Sequence, residues 1–237
     1  LTFYGNSDVT ILDSVNIIIK KNAALVIDGN VNITGNNSSI IIEGKFMQTN
    51  NSSLTLNNVD INTNSTISLN GIEFKNSTIS AMTSSSKHGQ NSISVSGCTF
   101  NNPAKTFCIN INGYYSYSID NNIIDSCDGT GVKIYYSGRN LADLSSNIVG
   151  NTITNCSLDG LLLYSSVAKI CMNNINNNNG IGIKLLNNST ILQMLGNPDL
   201  PPSETQKIEE NGSYEIYMTT ACTPSNFHYN RIYDNDN

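Results

Sequence analysis

The sequence predicts an all-β solenoid, a parallel β-helix with very little helix. Three gap-free repeats carry that prediction. Asn122-Ile123-Ile124-Asp125-Ser126-Cys127 leads to Gly131-Val132-Lys133-Ile134-Tyr135. Asn151-Thr152-Ile153-Thr154-Asn155-Cys156 leads to Gly160-Leu161-Leu162-Leu163-Tyr164. Asn173-Asn174-Ile175-Asn176-Asn177-Asn178 leads to Gly182-Ile183-Lys184-Leu185-Leu186. Each unit reads N-x-I-x-x-(C/N), three further residues, then G-apolar-x-apolar. A period of about 22 residues made of short strands and polar corners describes coils stacked along an axis.

Residues 1–95 show a shorter spacing, with starts roughly 12–15 residues apart. Ala24-Leu25-Val26-Ile27-Asp28-Gly29 is followed by Ser39-Ile40-Ile41-Ile42-Glu43-Gly44, then by Ser53-Leu54-Thr55-Leu56-Asn57-Asn58 and Thr66-Ile67-Ser68-Leu69-Asn70-Gly71. Alternation puts Leu54, Leu56, Val59 and Ile61 inside and Thr55 and Asp60 outside. Asp-Gly, Glu-Gly, Asn-Asn and Asn-Gly mark corners, because these residues accept left-handed backbone. Residues 84–91 read as a polar excursion from the coil. Residues 96–237 continue as the longer repeat of one solenoid. A second, Pro-containing excursion is expected over 197–211, with a strand after Gly212. Asn122, Asn151, Asn173, Asn197 and Asn230 then mark successive corners. There each amide can bond backbone groups and the equivalent Asn one coil away, a scaffold role.

Composition narrows the functional classes. The 237 residues include about 40 asparagines, several times ordinary usage. Asn-rich tracts are often disordered, but Ile, Val and Leu recur here at strand spacing, enough for a core. The net charge is −6 and the two arginines are Arg139 and Arg231. Nucleic acid is therefore an unsuitable partner, since neutralising phosphates takes clustered Lys and Arg. No apolar run is long enough to span a bilayer. A strand pattern beginning at Leu1, and an N-x-I unit opening at Asn230, suggest a segment of a longer parent chain. Eleven Asn-x-Ser/Thr sequons occur, about what such Asn and Ser/Thr contents give by chance, so they are no evidence of glycosylation.

The six cysteines, Cys98, Cys108, Cys127, Cys156, Cys171 and Cys222, fit no zinc spacing. Cys127 and Cys156 hold the same repeat position and should stack on adjacent coils about 4.8 Å apart, within reach of a disulfide. Two buried thiols in an inward ladder are the alternative.

The N-x-I-x-x-(C/N)…G-apolar-x-apolar pattern of residues 96–237 resembles the single-stranded right-handed parallel β-helix repeat of the pectin-lyase-like superfamily. Residues 1–95 resemble the shorter-stranded coils of autotransporter-type passengers and surface adhesins. The resemblance implies a fold more than an activity, because the superfamily contains lyases, hydrolases, epimerases, tailspikes and non-catalytic adhesins. The polygalacturonase-like set (N-T-D, D-D, G-H-G, R-I-K) is missing from the sequence, and His88 and His228 lack its partners. Pectate-lyase-like enzymes hold calcium with carboxylates and use Arg or Lys as base. Arg139 has no carboxylate cluster around it in sequence. No cofactor or metal is expected, and calcium finds no clear site.

Stacking can still assemble a site from distant residues. Lys133, Leu162 and Lys184 share one outward column, and Tyr135, Tyr164 and Leu186 another. Asp128 and Asp159, in the corner before these strands, could face each other on adjacent coils. Asp128, Asp159 and Lys133 are thus the catalytic candidates, because paired carboxylates can divide acid and base roles. Tyr135, Tyr164, Lys184 and Arg139 are candidates for glycan contact. The plainer reading is turn chemistry, solvated charge and an aromatic sheet edge. The expected function is a non-catalytic extracellular or cell-surface β-helix, an adhesin or glycan-display segment with a polysaccharide or cell-surface glycan as partner. A polysaccharide-active enzyme and a purely structural stalk are the alternatives.

Overall fold

A computed structural model describes residues 1–83, 91–102, 104–138, 146–196, 206–228 and 230–233. The chain winds as a three-faced parallel β-helix. One circuit is Ser116–Asp120 on the first face, Ile123–Cys127 on the second and Thr130–Tyr135 on the third. Every inter-strand pairing is parallel and joins a strand to its equivalent on the next circuit. Among the described residues there is no helix, hence none long and apolar enough to cross a membrane.

Inward side chains stack in register. On the third face one column runs Ile17, Ile40, Ile61, Ile79, Ile109, Val132, Leu161, Ile183 and Ile216. The second-face column contains Phe74 and Phe100, whose rings stack at 4.5 Å and 7°. Each buried aliphatic contributes about 1.5–3 kcal/mol by leaving water, and the pleat puts the next residue outside. Leu54, Leu56, Val59 and Ile61 are all inside.

In residues 1–95 the register pairs Val31 with Leu54 and Leu54 with Ile72. The 12–15-residue spacing therefore spans two of the three strands of a circuit, not a whole circuit. Two of these strands, Asn30–Ile42 and Ser53–Thr63, continue around a corner from the second face to the third.

The corners share one design. A left-handed residue turns the chain, and the next residue's N–H is met by a side chain of the following coil. Between the first and second faces the turning residues include Gly97, Asn121, Gly150 and Met172 (φ 60°, 55°, 67° and 55°). The N–H groups of Cys98, Asn122 and Asn151 each donate at 2.9 Å to Oδ1 of Asn122, Asn151 and Asn173 respectively. Asn173 N–H donates to Gln206 Oε1 at 3.4 Å, and Gln206 Nε2 to Asn230 Oδ1 at 2.8 Å.

Gln206 thus takes the ladder place expected of Asn197, which lies outside the described residues. Its longer side chain makes the same bridge. The excursion expected over 197–211 contains a second-face strand, Gln206–Glu209, in register with Asn174–Asn176. Residues 84–90 of the earlier excursion also lie outside the described residues. A serine ladder lines the corner between the third and first faces. Tyr114, Ser137 and Ser166 N–H groups donate to Ser137, Ser166 and Ser189 Oγ at 3.1, 3.2 and 3.3 Å.

Two interior tyrosines pin distant coils. Tyr114 Oη donates to Ser65 O at 3.0 Å, and Tyr117 Oη to Val167 O at 2.9 Å. Burial raises both phenols, Tyr114 up to about 12 against the opposing Thr63 hydrogen bond, and Tyr117 further.

Two outcomes follow for stability. Asn151→Ala orphans the buried Asn122 N–H and the Ile119 carbonyl that Asn151 Nδ2 reaches at 2.7 Å. Each orphan costs about 1–3 kcal/mol, so the denaturant midpoint should fall clearly, with Asn151→Gln falling less. The two phenols hold their protons more tightly folded than unfolded. Their stabilisation is full below the ordinary value of 10.0 and is lost as pH rises through about 12 for Tyr114. Titration at 295 nm should show two tyrosines ionising only as the fold is lost, and Tyr114→Phe with Tyr117→Phe should remove that late phase.

Candidate functional site

The outward surface of the third face holds most of the residues singled out by sequence. Register places Lys133, Leu162, Lys184 and Tyr217 in one column and Tyr135, Tyr164 and Leu186 in the next. Leu162 points outward by strand parity yet is only 9% exposed.

The tyrosines form a strip of two groups, separated by the coil of Lys184 and Leu186. Tyr135 and Tyr164 lie 5.8 Å apart, and Tyr136 meets Tyr164 edge-on at 5.4 Å. Further along, Tyr214 and Tyr217 are 6.0 Å apart. Tyr136 joins because it is the left-handed turning residue, at φ 48°, so its ring swings out at the corner beside the strand. The sequence signal for it is Tyr-Tyr directly before Ser-Gly. Tyr214 and Tyr217 gave no signal because their coil departs from the N-x-I repeat.

Asp159 lies at the edge of this strip, 8% exposed. Its Oδ1 accepts from Ile181 N–H at 3.0 Å, and its Oδ2 is 3.2 Å from Lys184 Nζ. Tyr135 is raised from the usual phenol value by burial and then by the Asp159 charge, against the lowering effect of Lys184.

Asp128 does not face Asp159. Register puts it beside Ser157, whose Oγ donates to its Oδ1 at 3.2 Å, while Asp159 turns toward the following coil. Lys133 turns the other way, its Nζ 5.7 Å from the Phe107 ring centre. The expected triad of Asp128, Asp159 and Lys133 is thus not assembled, because each member is engaged by a different coil. Arg139 lies outside the described residues. No group of three or more His, Cys, Asp or Glu able to hold a metal occurs among the described residues.

The corner beneath the site carries a thiol column. Cys127 and Cys156 do stack, since Ser157 N–H donates to Cys127 O at 2.8 Å. Both are free thiols, as are the other four cysteines. In-register parallel stacking holds Cβ atoms about a strand spacing apart, wider than the ~3.8 Å a disulfide prefers. Cys108, on the neighbouring third-face strand, meets Cys127 from the side, while Asn102 holds the column position on the preceding coil. Cys108 and Cys156 are raised by hydrogen bonding to Cys127 and by burial. Cys127 is lowered by the Cys108 and Cys156 thiols. Burial and the Asp128 charge oppose this, and the Lys133 charge adds to it; the Cys127 sulfur lies 3.1 and 3.6 Å from the Lys105 and Thr130 carbonyls.

No family model matches the chain, and no curated protein matches it. Among solved structures, the bacteriophage CBA120 tailspike protein 3 aligns over 98% of this chain at 12% identity and TM-score 0.41. The chain spans 50% of that tailspike chain. The periplasmic alginate epimerase AlgG aligns over 98% of this chain and 78% of its own, at 11% identity and TM-score 0.35.

The Asp159 contacts give a direct test of role. Asp159→Ala leaves a buried N–H and a half-buried ammonium without their acceptor, for a loss of about 1–3 kcal/mol. Asp159→Asn keeps an acceptor for Ile181 N–H and should lose less. Chemical denaturation of both variants measures the difference.

Proposed function

We propose that this chain is a glycan-binding segment of an extracellular β-helix, and that the tyrosine strip of the third face is its contact surface. One observation carries this reading: five of the chain's eleven tyrosines lie along one outward face in two groups of tilted and edge-on rings. Tyrosine rings give a flat apolar platform with a polar rim at small entropic cost. The non-polar face of a pyranose fits such a platform, and Lys184 and the phenol hydroxyls offer hydrogen bonds at its edge. Coils stack about 4.8 Å apart, so a polymer lying along the axis can meet both groups of rings.

The role is binding rather than turnover, because Asp159 is 8% exposed and held by a backbone N–H and Lys184 at the edge of the strip, not presented to a substrate. A general acid or base needs a free valence toward substrate. A polysaccharide-active enzyme is the competing reading, favoured by the Asp159–Lys184–Tyr135 cluster.

The chain has no tryptophan, so its emission comes from tyrosine, and the strip supplies five of the eleven rings. Titration with soluble alginate, polygalacturonate and neutral glycans should give saturable binding of at least one polymer. Tyr164→Ala should weaken that binding about tenfold or more while the fold is retained. Absence of binding across the panel, or binding indifferent to Tyr164→Ala, would overturn the assignment. Reducing ends or unsaturated products that accumulate with the chain and disappear with Asp159→Asn would establish the enzyme instead.

A further inference from the structure

The corner between the second and third faces repeats one contact from coil to coil. The ladder side chain of each coil leans over the residue just before the first inward position of the third face on the preceding coil. In three successive coils that residue is glycine. A Cβ added to Gly131 would stand 3.1 Å from Cys156 Sγ, one on Gly160 3.0 Å from Asn178 Nδ2, and one on Gly182 2.8 Å from Asn211 Nδ2. Glycine clears the space that the ladder side chain enters.

The coil before these three departs from the pattern. Register pairs Phe107 with Thr130 and Ile109 with Val132, so Cys108 stands in the glycine place beside Gly131. The ladder residue that leans over it is Cys127, which corresponds to Cys156 on the next coil. Here a thiol meets a thiol.

This diagonal has the dimensions of a cystine. Across a disulfide each Cβ lies about 3 Å from the far sulfur, and the two Cβ atoms are about 3.8 Å apart. The Cβ position of Gly131 is 3.1 Å from Cys156 Sγ, and Cys108 and Cys127 hold the same two places one coil earlier. The stacked pair, Cys127 and Cys156, is kept a strand spacing apart by its register. The diagonal pair is already in contact, since the Cys108 thiol hydrogen-bonds to Cys127. Asn102 Nδ2 also donates to Cys108 Sγ at 3.4 Å, which holds that sulfur in place.

We propose that Cys108 and Cys127 are a redox pair that closes to a disulfide and staples two successive coils. The oxidant is a peroxide. The Cys127 sulfur gives up its proton and attacks one peroxide oxygen, the O–O bond breaks, and the other oxygen leaves as water. The Cys108 sulfur then attacks the sulfenic acid on Cys127. The S–S bond forms, the S–O bond breaks, and the oxygen leaves with the Cys108 proton as a second water. Two electrons pass from the sulfurs to the peroxide.

Cys127 is the first nucleophile because the thiolate is the attacking species. The Cys108 and Cys156 thiols and the Lys133 charge lower it from the ordinary thiol value. It is 2% exposed, but its sulfur lies 3.1 Å from Lys105 O, under a corner whose Ala104 and Thr106 are exposed. A water-sized oxidant has only this corner to cross. Once closed, the bond keeps one coil from peeling away without its neighbour. The staple is independent of glycan binding by the tyrosine strip.

The test treats the whole folded chain with hydrogen peroxide, blocks the remaining thiols and maps the peptides by mass spectrometry. Chymotrypsin suits the map, because Tyr114, Tyr115 and Tyr117 lie between the two cysteines. The expected product carries a Cys108–Cys127 bond, is lighter by two hydrogen atoms, and regains them with dithiothreitol. Its denaturant midpoint should exceed that of the reduced chain. Cys108→Gly installs the residue of the next three coils and should show no such rise with peroxide. Cys156→Ser should still form the bond. A Cys127–Cys156 bond would overturn the proposal. So would Cys108 and Cys127 remaining free after Cys171 and Cys222 have oxidised, or a cross-linked chain no more resistant to denaturant than the reduced one. If Cys108→Gly does not fold, Cys108→Ala takes its place, and a peroxide-dependent rise in either variant counts against the pair.

Discussion

Each circuit of this chain bends three times, and each bend leaves an inward backbone N–H with no strand to receive it. Water cannot reach these groups, so a neighbouring coil must supply an acceptor. The side chain just after the left-handed turn does this, reaching back to the N–H of the coil before it. Asn122, Asn151 and Asn173 form one such ladder, and Ser137, Ser166 and Ser189 another. Removing one rung affects two coils, so the stability of the stack is shared along its length.

The ladder fixes the corner but not one chemistry for it. Oδ1 of Asn, Oγ of Ser and Oε1 of Gln206 all serve. At the corner between the second and third faces two thiols, Cys127 and Cys156, replace amides, and Asn178 then meets Cys156 N–H at 3.0 Å. With the interior given over to aliphatic columns and the corners to ladders, variation is left to the outward positions. The tyrosine strip lies there. The same separation explains Asp159, which is drawn into a corner hydrogen bond and an ion pair and so acts as support for the strip.

Part of this was legible in the chain itself. The period and alternation of residues 121–186 specify strands, corners and inward residues, because stacking makes local pattern and long-range register the same information. The columns Lys133–Leu162–Lys184 and Tyr135–Tyr164–Leu186 follow from it directly. The spacing in residues 1–95 misled, because each 12–15-residue unit holds two strands whereas a circuit holds three. The facing of Asp128 and Asp159 failed for a similar reason, since a column gives a residue's height and face but not the coil toward which its side chain turns.

The sequence by itself determined the solenoid, its inward columns and the scaffold role of its repeated asparagines, since all three depend on periodicity and a repeat states its own period. Tertiary structure alone decided that Gln206 replaces an asparagine and that the stacked thiols stay unlinked. It also decided that Tyr136, Tyr214 and Tyr217 extend the aromatic strip. Each of these depends on the length of one corner or the torsion of one side chain. Those are set by contacts between coils, which a single coil's sequence does not record.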